Sequence, residues 1–194
     1  MLQCRRFVGR FDHSKRLWHA ETQLKVAHIK QFHVFVDRED ISLTALVQID
    51  WIDSIITVWD LVQRTTIRSF DTHAAAVYAV AFRPTMSQII SGSKDANVRL
   101  YDLRDNGDRP AQTLVGHTNG VMAVIAGEGR DEWKVVSGSY DKSVRVFDLR
   151  VGRSICTLYG HSAAVFSLSM DSDSNLFSGA ADKMIRHWSF NTTS

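Results

Sequence analysis

An aspartate followed six positions later by an aromatic residue occurs five times, as Asp12/Trp18, Asp53/Trp59, Asp95/Tyr101, Asp141/Phe147 and Asp182/Trp188. The aspartates stand 41, 42, 46 and 41 residues apart in a chain of 194 residues, within segments reading GRFDHSKRLWH, DWIDSIITVWD, GSKDANVRLYD, GSYDKSVRVFD and GAADKMIRHWS. A period of this length marks a stack of supersecondary units, each too small to bury its apolar face alone. Four of the aspartates are preceded by a histidine, at His28, His73, His117 and His161, lying 25, 22, 24 and 21 residues upstream.

Inside each unit the local pattern is that of strands. Between His73 and Asp95, the runs VYAVAF (77–82) and QIISGS (88–93) flank a turn marked by Pro84 and Ser87. A third run carries the aromatic residue, as in VRVFD, and a fourth follows, as in AQTLVG or RSICTLYG. β-Branched and aromatic residues alternate over short runs, and no apolar stripe persists at helical spacing, so each unit is expected to hold four short strands and no helix.

These units resemble WD-repeats, the blades of a β-propeller, which carry Gly-His near the start and Trp-Asp near the end. Gly116-His117 and Gly160-His161 match in full; Ala27-His28 and Thr72-His73 match in part, Asp50 stands where other copies have glycine, and Ser189 replaces the final aspartate. The resemblance implies an all-β WD40-type propeller of about four and a half four-stranded blades. As one array over residues 1–194 it divides into a partial repeat over about 1–24 and repeats over about 25–69, 70–113, 114–157 and 158–194. Propellers close with about 4–8 blades, and the chain begins and stops at different phases of the repeat. The ring is therefore expected to be incomplete, with further N-terminal blades completing it.

The resemblance further implies a buried polar set in each blade: a histidine, a serine on the second strand, the turn aspartate and the third-strand aromatic. By position these sets are His73, Ser91, Asp95 and Tyr101; His117, Ser137, Asp141 and Phe147; and His161, Ser178, Asp182 and Trp188. An aspartate at a tight turn can accept from backbone N–H groups and from an imidazole together, which pins the loop. Phe147 has no polar hydrogen, so its set lacks one link. Ser, His and Asp also make up a hydrolytic triad. A triad has no reason to recur at the repeat period, and neither a GxSxG elbow nor a Gly-rich phosphate loop accompanies these residues, so no catalytic residue is assigned. His13, His19, His28 and His33 crowd together without HExxH or a carboxylate at ligand spacing, and Cys4 and Cys156 form no CxxC. No metal and no cofactor are expected. Gly127 and Gly129, in AGEGRDEW, read as a hairpin loop, and Asn191-Thr192-Thr193 as a sequon without a role.

Blades stacked side by side leave the loops at the two ends of the array for binding, and the resemblance implies a partner surface on the end that holds the histidine and aspartate loops. Register puts Lys94 and Tyr140 just before turn aspartates, and Tyr78, Met122 and Phe166 just after Val77, Val121 and Val165. These five are candidate partner-binding residues; packing between blades is the competing assignment. Arg99, Arg145 and Arg186 recur on the third strand, where a solvated stem lying over a blade face is favoured over a phosphate contact. A net charge of +2 gives no broad polyanion-binding field, no apolar run is long enough for a membrane helix, and two cysteines point to a reducing compartment, cytoplasmic or nuclear. The expected function is that of a non-catalytic scaffold presenting loops to protein or peptide partners in a multiprotein complex, a ubiquitin-ligase substrate receptor being one setting. The alternative is a nucleic-acid-associated factor of chromatin or RNA processing, binding through Lys94 and Arg99. No membrane partner is expected.

Overall fold

The structure, a computed structural model, describes the backbone of residues 16–17, 26–27, 32–35 and 45–49. With side chains it describes residues 54–60, 65–83, 87–127, 129–171 apart from the Arg130 side chain, and 174–189. The expected positions Asp12, Trp18, His28, Asp53, Pro84 and Asn191 lie outside the described residues.

Every sheet is antiparallel, and its strands follow one another in chain order. β1 (Arg16–Leu17) pairs with β2 (Val26–Ala27). Four larger sheets follow. The first holds β3 (Phe32–Phe35), β4 (Ala45–Ile49), β5 (Ile56–Asp60) and β6 (Thr65–Phe70); the second holds β7 (Val77–Arg83), β8 (Gln88–Ser93), β9 (Val98–Asp102) and β10 (Gln112–Leu114). The third holds β11 (Val121–Ala126), β12 (Lys134–Ser139), β13 (Val144–Asp148) and β14 (Arg153–Leu158), and the fourth β15 (Val165–Met170), β16 (Leu176–Ala180) and β17 (Ile185–Trp188). The described sheets do not close into a ring. A single 3-10 turn, Gly129–Asp131, occupies the loop expected as a plain hairpin between β11 and β12. Among the described residues no helix is long and apolar enough to cross a membrane. The outer strands end at Phe70, Leu114 and Leu158, and Phe70 and Leu114 are buried in the core behind them.

Because both faces of an inner blade are covered, apolar side chains of both parities along its strands are buried. Ile56, Val58 and Phe70 of the first sheet pack against Val77, Val80, Ile89 and Tyr101 of the second. The other face of the second sheet, through Ala79, Ile90, Val98 and Leu100, meets Val121, Val124, Val135 and Phe147 of the third. Val136, Val144 and Val146 then meet Val165 and Leu176 of the fourth. The core is thus a series of layers between successive blades, as expected of a stacked repeat.

The tight turns that join second and third strands use one backbone device repeatedly. Ser54, Ala96, Lys142 and Lys183, in equivalent positions, have φ of 61°, 66°, 71° and 65°. This is the left-handed region, which costs a residue with a Cβ about 1 kcal/mol and costs glycine nothing. Ala96→Gly is therefore expected to raise stability by about 0.5 kcal/mol, net of the greater freedom glycine gains in the unfolded chain. A urea midpoint that moves down in this variant would contradict that account of the turn.

Candidate functional site

In three blades, a histidine in the loop before the first strand reaches down to the second-strand serine and across to the turn aspartate. His73 Nδ1 lies 2.8 Å from Asp95 Oδ2, and its Nε2 lies 2.7 Å from Ser91 Oγ. His117 makes the same pair with Asp141 and Ser137 at 2.8 and 2.7 Å, and His161 with Asp182 and Ser178 at 2.8 Å each. Each aspartate also caps its own turn. Oδ2 accepts from the backbone N–H after the histidine, at Ala74, Thr118 and Ser162, while Oδ1 accepts from Asn97, Ser143 and Met184.

The electrostatics fix the charge of the three aspartates and, in the third sheet, of the imidazole. Burial alone would raise the Asp95 carboxyl, but the hydrogen bond and charge of His73, with the Asn97 and Ala74 N–H groups, outweigh it and hold the group at about 2. Asp141 is likewise held at about 2, burial being overcome by Ser143 and His117, and Asp182 at about 2, by His161 and the Met184 and Ser162 N–H groups. All three are ionised at neutral pH, so they can only accept, and Nδ1 of each histidine must carry the proton it donates. Burial lowers the pKa of His117, keeping its imidazole neutral. Its Nε2 therefore accepts from the Ser137 hydroxyl. In the last blade Trp188 Nε1–H donates to Ser178 Oγ at 2.8 Å, so indole, serine, imidazole and carboxylate form one continuous hydrogen-bonded row.

The other two sets vary this plan. The Tyr101 hydroxyl bonds Thr72 Oγ1 at 2.7 Å. Phe147 offers no donor and lies edge-on to His117, with ring centroids 6.4 Å apart. There Ser143 adds a hydroxyl that donates to Asp141 Oδ1 at 2.6 Å. Two residues not singled out in the sequence extend the clasp: Ser93 Oγ and Ser139 Oγ bond the carbonyls of Ala75 and Asn119 and accept from the Asp95 and Asp141 N–H groups. Their signal was the Ser-Gly-Ser shared by residues 91–93 and 137–139.

These distances are those of a hydrolytic triad, yet Ser91, Ser137 and Ser178 are 0%, 0% and 1% exposed. A nucleophile without surface cannot meet a carbonyl, so the arrangement serves to pin loops. Arg99, Arg145 and Arg186 lie beside the residue that precedes each histidine. Arg99 donates to the Thr72 carbonyl and sits 3.5 Å from Asp95, with its side chain only 14% exposed. The Arg145 and Arg186 guanidinium groups lie over Gly116 and Gly160, where a Cβ would meet them at 3.0 and 3.4 Å. The expectation of a solvated stem is thus corrected for Arg99, whose planar fork is drawn to the Thr72 carbonyl.

The candidate partner residues gather on the end that carries the clasp turns. Tyr78, Met122 and Phe166 each occupy a β-bulge, where strand register shifts between Val77 and Ala79, Val121 and Ala123, and Val165 and Ser167. A bulge leaves its extra residue out of the ladder and re-aims its side chain. The Lys94 N–H bonds the Ala76 carbonyl at 2.8 Å and the Tyr140 N–H bonds Gly120 at 2.9 Å, which fixes each loop beside the neighbouring bulge. Tyr140 and Phe166, from adjacent blades, meet edge to face at 5.7 Å and are 47% and 45% exposed. Lys94 is exposed; Tyr78 and Met122 are half-buried. On the opposite end, Asp102 and Asp148 hold Arg104 and Arg150 in matching two-point pairs of 3.0 and 2.7 Å, and the Arg150 guanidinium stacks on Trp133 at 3.9 Å. The repeated Asp-Leu-Arg was the available signal for these pairs.

A family model described as WD domain, G-beta repeat, matches residues 64–102, 108–148 and 152–189. The chain is 34% identical over 131 residues to a nuclear distribution protein nudF of Aspergillus flavus, covering 66% of this chain and 28% of the relative. It is 32% identical over 154 residues to ribosome biogenesis protein YTM1 of Scheffersomyces stipitis, covering 73% and 30%. It is 26% identical over 137 residues to E3 ubiquitin-protein ligase COP1 of Arabidopsis thaliana, covering 70% and 20%. The chain therefore spans less than a third of the length of these relatives.

Proposed function

We propose that this chain, which belongs to the WD40 family of G-beta repeat proteins, is a non-catalytic scaffold that holds a protein or peptide partner against the end bearing its clasp turns. The observation that carries this reading is the Tyr140–Phe166 pair. Two large aromatic side chains from separate blades stay about half exposed on a rigid, hydrogen-bonded frame, and such preorganised anchors are what interface hot spots are made of. Met122 lies on the blade of Tyr140, Tyr78 and Lys94 extend the same surface over the neighbouring blade, and residues 1–194 act as one repeat array completed by further blades.

The relatives named for ribosome biogenesis and for ubiquitin ligation support a place within a multiprotein complex, in cytoplasm or nucleus; a ubiquitin-ligase substrate receptor is one such place. Direct nucleic-acid binding is less well supported, because the guanidinium of Arg99 is engaged by Thr72 and Asp95. Affinity capture tests the reading. Tyr140→Ala and Phe166→Ala are expected to keep the β-sheet circular dichroism and thermal midpoint of the parent while losing most partner recovery. Undiminished recovery by the double variant would overturn it.

A further inference from the structure

The clasp-turn end has an uneven charge. Its loops, residues 71–76, 94–97, 115–120, 140–143, 159–164 and 181–184, contribute Lys94, Lys142 and Lys183, all exposed. None of these lysines forms an ion pair among the described residues. The carboxylates in the same loops are turned inward: the Asp95, Asp141 and Asp182 side chains are 7%, 9% and 6% exposed, and each is ringed by an imidazole N–H and backbone N–H groups. Such oriented N–H dipoles offset the field of the carboxylate they face. Asp71, at the outer rim, is the exposed acid in these loops. The opposite end instead mixes Asp105, Asp108 and Glu132 with Arg104, Arg109 and Arg150.

The lysines are interleaved with the apolar anchors. Lys94 and Tyr78 both abut Gly120, where a Cβ would lie 3.2 Å from the Lys94 Cα and 3.3 Å from the Tyr78 ring. Lys142 stands two residues from Tyr140, which in turn meets Phe166. We infer that this end takes an acidic peptide segment, whose Asp or Glu side chains meet Lys94, Lys142 and Lys183 while an apolar side chain rests against Tyr140 and Phe166. The inference rests on the proposal above that this end is the partner surface, and adds the chemistry of the partner. A protein segment is favoured over nucleic acid because three ammonium groups neutralise few phosphates, and the arginine forks that would grip or stack on a nucleotide lie folded against the backbone.

The test is selection from a random-sequence peptide display library on the immobilised 194-residue chain, followed by titration of a labelled selected peptide, its Asp→Asn and Glu→Gln counterpart, and a single-stranded RNA of equal length. Selected peptides are expected to be enriched in Asp and Glu. Neutralising them, or the triple change Lys94→Glu, Lys142→Glu and Lys183→Glu, should weaken binding about tenfold or more, and raising salt should weaken the unaltered pair, a readout that needs no variant. Neutral or basic peptides that depend on Tyr140 but ignore the lysine changes and salt would overturn the acidic assignment and leave the scaffold reading standing. RNA bound more tightly than the acidic peptide would overturn it in favour of nucleic acid. Capture of no peptide at all would remove both the assignment and the scaffold reading.

Discussion

Asp141→Ala is expected to lower the thermal midpoint of the array by about 6–12 °C. The carboxylate serves His117 Nδ1–H, the Thr118 and Ser143 N–H groups and the Ser143 hydroxyl together. Removing it strands donors that are largely out of water, at about 1–3 kcal/mol for a buried group left unpaired. A total near 3 kcal/mol corresponds to that midpoint shift for a chain of this size. Asp141→Asn should fall between the two, since an amide oxygen still accepts from the turn but without charge. The same network predicts how the array responds to acid. Asp95 and Asp141 are held at about 2 in the fold against an ordinary 3.8, so their contribution is complete above pH 3.8 and is lost as the pH falls toward 2. In Asp141→Ala that acid-dependent loss shrinks by one group. A midpoint unmoved by Asp141→Ala at neutral pH would show that the clasp does not hold the turn.

The second large effect lies between blades. Gly138→Val places a Cβ 2.7 Å from Val165 Cγ1 and 3.1 Å from its Cβ. Val165 is wholly buried and β-branched, so its χ1 is restricted and the wedge acts to part the third and fourth sheets. The expected cost is about 3 kcal/mol, with exposure of Val136, Val144 and Leu176 that a hydrophobic dye reports. Gly92 faces Val121 in the same way at 2.6 Å, and Gly92→Val should behave alike. Gly179 provides the control: a Cβ there meets nothing nearer than Ser167 Cβ at 3.7 Å, so Gly179→Ala should cost less than about 0.5 kcal/mol. Equal losses at Gly138 and Gly179 would mean that strand geometry, and not blade contact, selects these glycines.

Features carried by identity at a fixed spacing were legible without coordinates. The His73, Asp95 and Ser91 pattern recurs in register, and the resemblance to WD-repeats implies the four members of each clasp and their strands. Features that depend on how two strands pair were not. The bulges at Tyr78, Met122 and Phe166 exist only as a shift between partners, and alternation along a single strand carries no trace of them. Arg99 shows the opposite limit: its exposure depends on a carbonyl at Thr72, 27 residues away, and a charged side chain in a strand defaults to a solvated reading. Ser143 carried no signal, because a serine after a turn is common; its hydroxyl serves Asp141 Oδ1, a different atom of the clasp from the serine that Trp188 serves in the last blade.

On the proposed function, the outward-facing aromatic pair, carried on loops clamped by buried clasps, is where this protein meets another. A photoreactive phenylalanine analogue placed at Tyr140, and separately at Val151, which is 56% exposed on the opposite end, tests this most directly in cells. The account predicts discrete protein adducts from position 140 that the free acidic peptide competes away, with few from position 151. Adducts confined to position 151, or none from position 140 in a folded protein, would contradict it.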